Sequence, residues 1–318
     1  MAHEIESMAY TGETPWHRLG TKVDHLMTAE EAIKTAGLGW TVSIEDSYVM
    51  RNGVYINQEN HKFIKRDTDN KVLGRCGKVY TPIQNAEAFR FADGVVGSKE
   101  GHYETAGSLR GGERIWLLMN LKGKLNVKGE EIAEYLTLTN SHDGYNACQM
   151  FFTPVRVVCM NTLRMAISGA TGSFYARHTT NVHDKIGEAK EILGFANKFF
   201  DKWLEQANAM AMKQLPPAQM PLLLAAAFGT TGAVDVQKVY APTQFKMDRI
   251  RELAEVGKGM GNPAIKGTIW QAYNAVAEYA DYERPYRNPN PEARLNGTWF
   301  GGGAEMKSKA WDFCLKLL

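Results

Sequence analysis

Residues 40–80, WTVSIEDSYVMRNGVYINQENHKFIKRDTDNKVLGRCGKVY, decide the fold class. WTVSIEDSYVM and VYI are rich in β-branched and aromatic residues, and Arg51-Asn52-Gly53 stands between them. Asn-Gly at such a junction is a strong hairpin signal, because both central residues of the favoured turn take positive φ and these two do so at least cost. HKFIKR and KVLGRCGKVY then flank Asp67-Thr68-Asp69-Asn70, a cluster of turn formers, so a second hairpin follows.

The same character extends on both sides. Thr28 to Ala36 reads as a short helix, with Thr28 as N-cap and Glu31 three residues later completing a capping box. The first 20 residues hold few periodic apolar positions and read as an arm. Asn85 to Val96 reads as a helix, and a third hairpin joins YETAGSLR to ERIWLLMNL through Gly111-Gly112. Strands over Glu134–Thr139 and Cys148–Val158 follow. Antiparallel hairpins dominate and βαβ units are few. Residues 1–180 are therefore expected to be an α+β core with a curved antiparallel hairpin-rich sheet.

The pattern changes at Asn181. Val182, Ile186, Ala189, Leu193, Ala196, Phe200, Trp203, Ala207 and Met210 alternate in steps of four and three, the mark of one long helix. Ile192, Phe195, Phe199 and Leu204 widen the seam, so the helix is expected to be buried, and Pro216-Pro217 end it. Further helices are expected at Pro221–Phe228, Thr243–Val256, Lys266–Tyr282 and Gly303–Leu318. Residues 181–318 thus read as a helical region.

The composition is 44% apolar and 23% charged, ordinary for a soluble globular protein. The start, MAHEIES, is polar and acidic where a leader needs a basic and then apolar run. The longest apolar run, Leu222 to Phe228, is far short of a membrane span. Cys76, Cys148, Cys159 and Cys314 are widely spaced with no Cys-x-x-Cys pair, which fits reduced thiols in a cytoplasmic protein and no zinc site.

Charge is uneven. Residues 1–60 carry a net −5, residues 61–183 a net +5 and residues 184–318 a net +2. Within the centre, Gly144 to His183 holds Arg156, Arg164 and Arg177 and no acid. A positive centre attracts anions, and a polyanion is the natural candidate. Lys62, Lys65, Arg66, Arg75 and Lys78 lie on the second hairpin beside Tyr80. Arg110 and Arg114 flank the Gly-Gly turn. Tyr145 and Phe152 interleave with the arginines of the acid-free stretch, the mixture that grips a phosphate backbone and stacks bases. The bland alternative for the hairpin is a solvated face.

Catalytic readings are weaker. Ser141-His142-Asp143-Gly144 pairs a base with a carboxylate, but adjacent residues seldom orient one another, and Asp-Gly is a common turn. His178 and His183 lack the spacing of a helical metal pair. Gly301-Gly302-Gly303 before a helix could cradle an anion, yet no Gly-Lys-Ser/Thr follows, so nucleotide hydrolysis is unsupported. The expectation is a protein that is not an enzyme, with no cofactor and no metal.

Several segments together carry a resemblance: MAHEIESMAYTGETPWHRLGT, TAGSLRGGERIWLL, NSHDGYNACQMFFTPVRVVCMNTL, ARHTTNVHDKI, and IWQAYNAVAEYADYERPYR followed by TWFGGGAEMKSKAWDF. The chain resembles the phage/plasmid-like protein family, domain of unknown function 932, over nearly its whole length. That resemblance implies a mobile-element setting and no settled activity. The hairpin-rich half and basic centre are also similar in outline to ring-forming single-strand annealing proteins of phage recombination systems. The expectation is an ATP-independent single-stranded DNA-binding and annealing protein that acts as a homo-oligomer. A module that inhibits a host defence or replication factor is the alternative, with a host protein as partner.

Overall fold

The computed structural model describes residues 5–11, 20–96, 101–156, 161–162, 173–182, 192–229, 241–285, 297–299 and 301–318. The molecule is α+β, with two sheets and helices gathered mostly in the C-terminal half. It divides into two compact units, each built from several chain segments. The first comprises Met1–Lys122, Tyr135–Phe152 and Gly172–Ala196; the second comprises Gly123–Glu134, Thr153–Thr171 and Asn197–Leu318. The boundary at residue 180 read from the sequence falls inside a segment of the first unit.

The hairpins of residues 40–80 form a three-stranded meander. Strand β3 (Val42–Arg51) pairs antiparallel with β4 (Val54–Arg66), which pairs with β5 (Val72–Cys76). Asn52 and Gly53 take φ of 50° and 77°, as the Asn-Gly turn requires. What reads as two hairpins is one continuous 13-residue strand shared between them.

The larger sheet has the order β10-β9-β8-β7-β6-β1-β2, with β11 (Ser173–Ala176) also paired to β9. Its strands are β1 (Ile5–Thr11), β2 (Thr21–Val23), β6 (His102–Leu109), β7 (Arg114–Val127), β8 (Glu130–Ser141), β9 (Cys148–Arg156) and β10 (Asn161–Thr162). From Tyr135 to Ser141 every residue of β8 is buried, as expected of a strand covered on both faces.

The start of the chain is not a loose arm. Residues 5–11 enter the sheet between β6 and β2, with Met8, Ala9 and Tyr10 buried. Periodicity missed them because a doubly covered strand shows no alternation, and because its one charge, Glu6, is neutralised by a residue 60 positions away. Helix α1 (Ala29–Thr35) carries the capping box: Glu31 N donates to Thr28 Oγ1 at 3.3 Å, and Thr28 N donates to the Glu31 carboxylate at 3.0 Å. Helix α2 spans Asn85–Val96 as expected.

In the second unit, α3 (Ile192–Met212), which belongs to it from Asn197 on, buries Phe199, Phe200, Trp203, Ala207 and Met210, the C-terminal part of the predicted seam. Residues 183–191, where the seam begins, lie outside the described residues. Helices α4 (Gln219–Phe228), α5 (Ala241–Val256), α6 (Ile269–Glu278) and α7 (Gly302–Lys316) follow. All ten residues of α6 are buried, which makes it the axis of this unit. Trp203 packs edge-on against Trp270 and stacks on Trp311, and Tyr273 meets Trp311 with ring centroids 5.0 Å apart. Trp270 Nε1 donates to Glu130 at 2.9 Å, and Lys307 donates to Asp281 at 2.6 Å with both side chains buried. These aromatic residues are core packing.

Among the described residues no helix is long and apolar enough to cross a membrane. Cys76, Cys148 and Cys314 are buried free thiols, and burial pushes the Cys148 thiol up to about 12.

Candidate functional site

The segment Asn140–Asn146 is a turn held from several sides within the first unit. Its own hydrogen bonds form first. Asp143 Oδ1 accepts from the backbone N–H of Tyr145 at 2.8 Å and of Asn146 at 2.9 Å, and Asn146 Nδ2 donates to Oδ2. This is an Asx turn, with the carboxylate consumed by the local backbone. Burial raises the Asp143 pKa, but these donors outweigh it and hold the group below its ordinary value.

Four segments close around the turn. His142 N and Ser141 Oγ donate to the carbonyl of Glu113 at 2.7 and 3.0 Å, which ties the turn to the β6–β7 connection. Asn140 Nδ2 donates to Ile83 O at 2.8 Å, and Tyr80 Oη donates to Ser141 O at 3.3 Å. His178, just after β11, faces Thr81 O with Nδ1 at 3.2 Å, and its ring stacks on Tyr80 at 4.8 Å. Strand β5 lies directly on the turn. A Cβ on Gly74 would sit 2.4 Å from the Asp143 carbonyl, and one on Gly144 1.8 Å from Arg75 O. Only glycine permits this backbone-on-backbone contact, and at Gly144 it also supplies the φ of 81°.

His142 is not poised for catalysis. It is fully buried, with Nε2 2.9 Å from Asn85 Oδ1 and its ring edge-on to Trp40. Burial, with some repulsion from His178, pushes its pKa down to about 3. The adjacent Asp143 serves its own turn, so the pair is structural. Nδ1 of His142, Nε2 of His178 and Oδ1 of Asn140 are buried without a hydrogen-bond partner. Among the described residues no group of three or more His, Cys, Asp or Glu side chains could hold a metal.

The sequence-derived cations separate into three groups. Arg66 is buried: Nη1 donates to Glu6 at 2.7 Å, Nε and Nη2 grip Asp69 at 2.9 and 2.6 Å, and the guanidinium lies over the Trp40 ring. Those bonds hold its pKa above the ordinary value. It ties β4 to the chain start and cannot reach a phosphate. Phe152 is likewise in the core and has no free face for a base. Tyr80 is half-buried, with its ring against His178 and its hydroxyl bonded.

A second group is engaged or dispersed. Lys62 pairs with Asp46 at 3.2 Å and Lys78 with Glu59 at 3.8 Å, while Lys65 is half-buried. Arg156 lies on β9, and Arg164 falls outside the described residues.

The third group lies on, or next to, the segments that hold the turn. Tyr145, at its tip, is 82% exposed. Arg75 backs onto Gly144, and Arg177 immediately precedes His178; both are exposed. Arg110 is exposed and Arg114 half-buried on the connection that carries Glu113. Burial lowers the Arg114 pKa, attraction from Asp143 offsets this, and repulsion from Arg110 adds to it, so these charges act on one another. The acids here are Glu113 and Asp143, and Asp143 is spent on its turn. Sequence reading found the cations but missed Gly74, Asn85 and Glu113, which place them. Gly74 inside a strand-like stretch was the available signal, since a strand glycine marks close backbone approach.

Fold and site together define an α+β protein whose first unit presents a turn with an exposed aromatic tip, backed by β5 and with the Arg114 charge acting on Asp143. The chain belongs to the family described as Domain of unknown function (DUF932), whose model matches residues 72–299. No curated protein and no solved structure gave a match.

Proposed function

We propose that the protein binds single-stranded DNA and promotes annealing without ATP, as an oligomer in the cytoplasm serving a phage or plasmid recombination system. The observation that supports the reading is the exposed Tyr145 at the tip of a turn whose Asp143 feels the Arg114 charge and whose Gly144 lies against the backbone of Arg75, with Arg75, Arg110 and Arg177 exposed in the same unit. A ring standing clear of the surface can stack on a base, and the flanking guanidiniums neutralise the phosphates on either side. Stacking needs an unpaired base, so single strands are preferred over duplex. Once two strands are held extended and neutralised, their pairing is downhill and requires no nucleotide hydrolysis.

The test is a mobility-shift and strand-annealing assay with a fluorescent oligonucleotide, repeated across salt concentrations. Binding should weaken steeply with salt and drop in Tyr145→Ala and Arg75→Glu. Binding that ignores salt, or that both variants retain in full, overturns the reading.

A further inference from the structure

Residues 48–57 form a two-stranded ribbon that the rest of its sheet does not cover. Tyr48 pairs with Asn57, Val49 with Ile56, Met50 with Tyr55 and Arg51 with Val54. Strand β5 pairs with β4 only between Lys62 and Lys65, well short of this arm. A register shift divides arm from base, so Gln58 to His61 stand opposite Ser47 alone. Tyr48, Met50 and Tyr55 share one face of the arm, and Val49, Val54 and Ile56 share the other. All six are exposed, Tyr55 to 73%.

A lone hairpin in water is marginal, and an apolar patch on both of its faces marks a contact surface. Tyr48, Val49 and Met50 lie on the strand that borders solvent, so a strand added there would meet them directly, as the start of the about 800 Å² that each side of a standard interface contributes.

Its outer edge is also open. Strand β3 is an edge strand in the order β3-β4-β5. At its base the Gln84 amide accepts from Val42 N and donates to Val42 O, both at 2.9 Å, and seals the edge there. Beyond Val42 no further strand lies against that edge among the described residues.

We propose that this edge pairs antiparallel with the same edge of a second copy of the chain, about a two-fold axis at Tyr48. Charge selects this occupant. Acids, Glu45 and Asp46, stand near the middle of β3, three and two residues before Tyr48, and a base, Arg51, stands three residues after it. An antiparallel pair centred on Tyr48 sets Arg51 of each copy opposite Glu45 of the other. Both ends are satisfied at once, and the two Tyr48 rings meet in the middle. Asp46 is already held by Lys62, whereas among the described residues Glu45 has only the Ser43 hydroxyl at 3.1 Å. A nucleic-acid strand along this edge would meet both carboxylates as repulsion. The inference rests on the oligomeric part of the proposed function and not on its DNA part.

Analytical ultracentrifugation of the full chain over a concentration series tests it. The wild-type chain should dimerise, and Arg51→Glu and Glu45→Arg should each weaken the dimer by roughly tenfold, since each places like charges opposite at both ends. An equimolar mixture of the two variants should recover the wild-type dimer, because each mixed pair restores one ion pair of either polarity. A wild-type chain that stays monomeric, or a mixture no tighter than either variant, overturns the proposal. Intrachain damage cannot mimic that recovery. Mobility shifts on the same samples separate the two readings. A monomeric wild-type chain that still shifts single strands sinks the arm and the oligomeric part of the reading and spares its DNA part; a dimer that shifts none sinks the DNA part alone.

Discussion

The arm at residues 48–57 and the turn at residues 140–146 invert each other. The arm displays apolar side chains on both faces, whereas the turn buries Asn140, Ser141 and His142 completely or nearly so. Polar groups tolerate burial in the turn because backbone carbonyls and side chains receive most of them. Apolar groups stand exposed on the arm because nothing in its own sheet reaches them. Packing therefore predicts opposite responses to substitution: the turn governs stability, and the arm governs association.

The largest effect should come from the turn. Gly144→Ala forces a Cβ into the Arg75 carbonyl at a positive φ, and should cost about 3 kcal/mol or more in chemical denaturation. A loss under about 1 kcal/mol would mean that β5 does not rest on the turn. Arg66→Ala comes next. It strands Glu6 beside β6 and frees Asp69, and about 2–3 kcal/mol of stability should be lost without a change in DNA affinity beyond that of the folded fraction.

Acid should act through the same region. His142 and His178 both have pKa values pushed below 6.5 by burial, so the unfolded chain takes up protons first. Stability is full above about pH 6.5 and falls as pH drops towards 3, the value at which folded His142 itself titrates. Denaturation midpoints at pH 7, 6 and 5 should decline in that order. Flat midpoints would place His142 in contact with water.

Tyr145→Ala should leave stability within about 0.5 kcal/mol while costing about 1–3 kcal/mol in single-strand affinity, the usual worth of a stacked base. The smallest stability change belongs to the arm: Tyr55→Ser should shift the unfolding midpoint of the dilute chain hardly at all, yet lower its association. Equal stability losses in arm and turn would erase the contrast between them.

Much of the fold was legible because its signals are local. The capping box at Thr28–Glu31, the Asn52-Gly53 turn and the span of α2 follow from propensities acting within a few residues. Strand β1 was not legible, since its antiparallel partner β6 lies about 100 residues along the chain and its pairing with the short β2 is parallel. The site was half legible. Residue type picked out Arg75, Arg110, Arg114, Arg177 and Tyr145, but the same criterion picked out Arg66 and Phe152, which the fold buries. Charge is written in the sequence; whether an ion-pair partner lies across a sheet is not.

By itself the sequence determined the α+β class, the hairpin turns, the helical C-terminal part and the positive centre, because each follows from periodicity, turn chemistry or composition. Only the tertiary structure decided which cations remain at the surface, that the His142-Asp143 pair is structural, and that one hairpin outruns its sheet. These depend on long-range contacts such as Glu6 with Arg66, Gly74 with Asp143 and His142 with Asn85, whose partners are separated by about 60 residues.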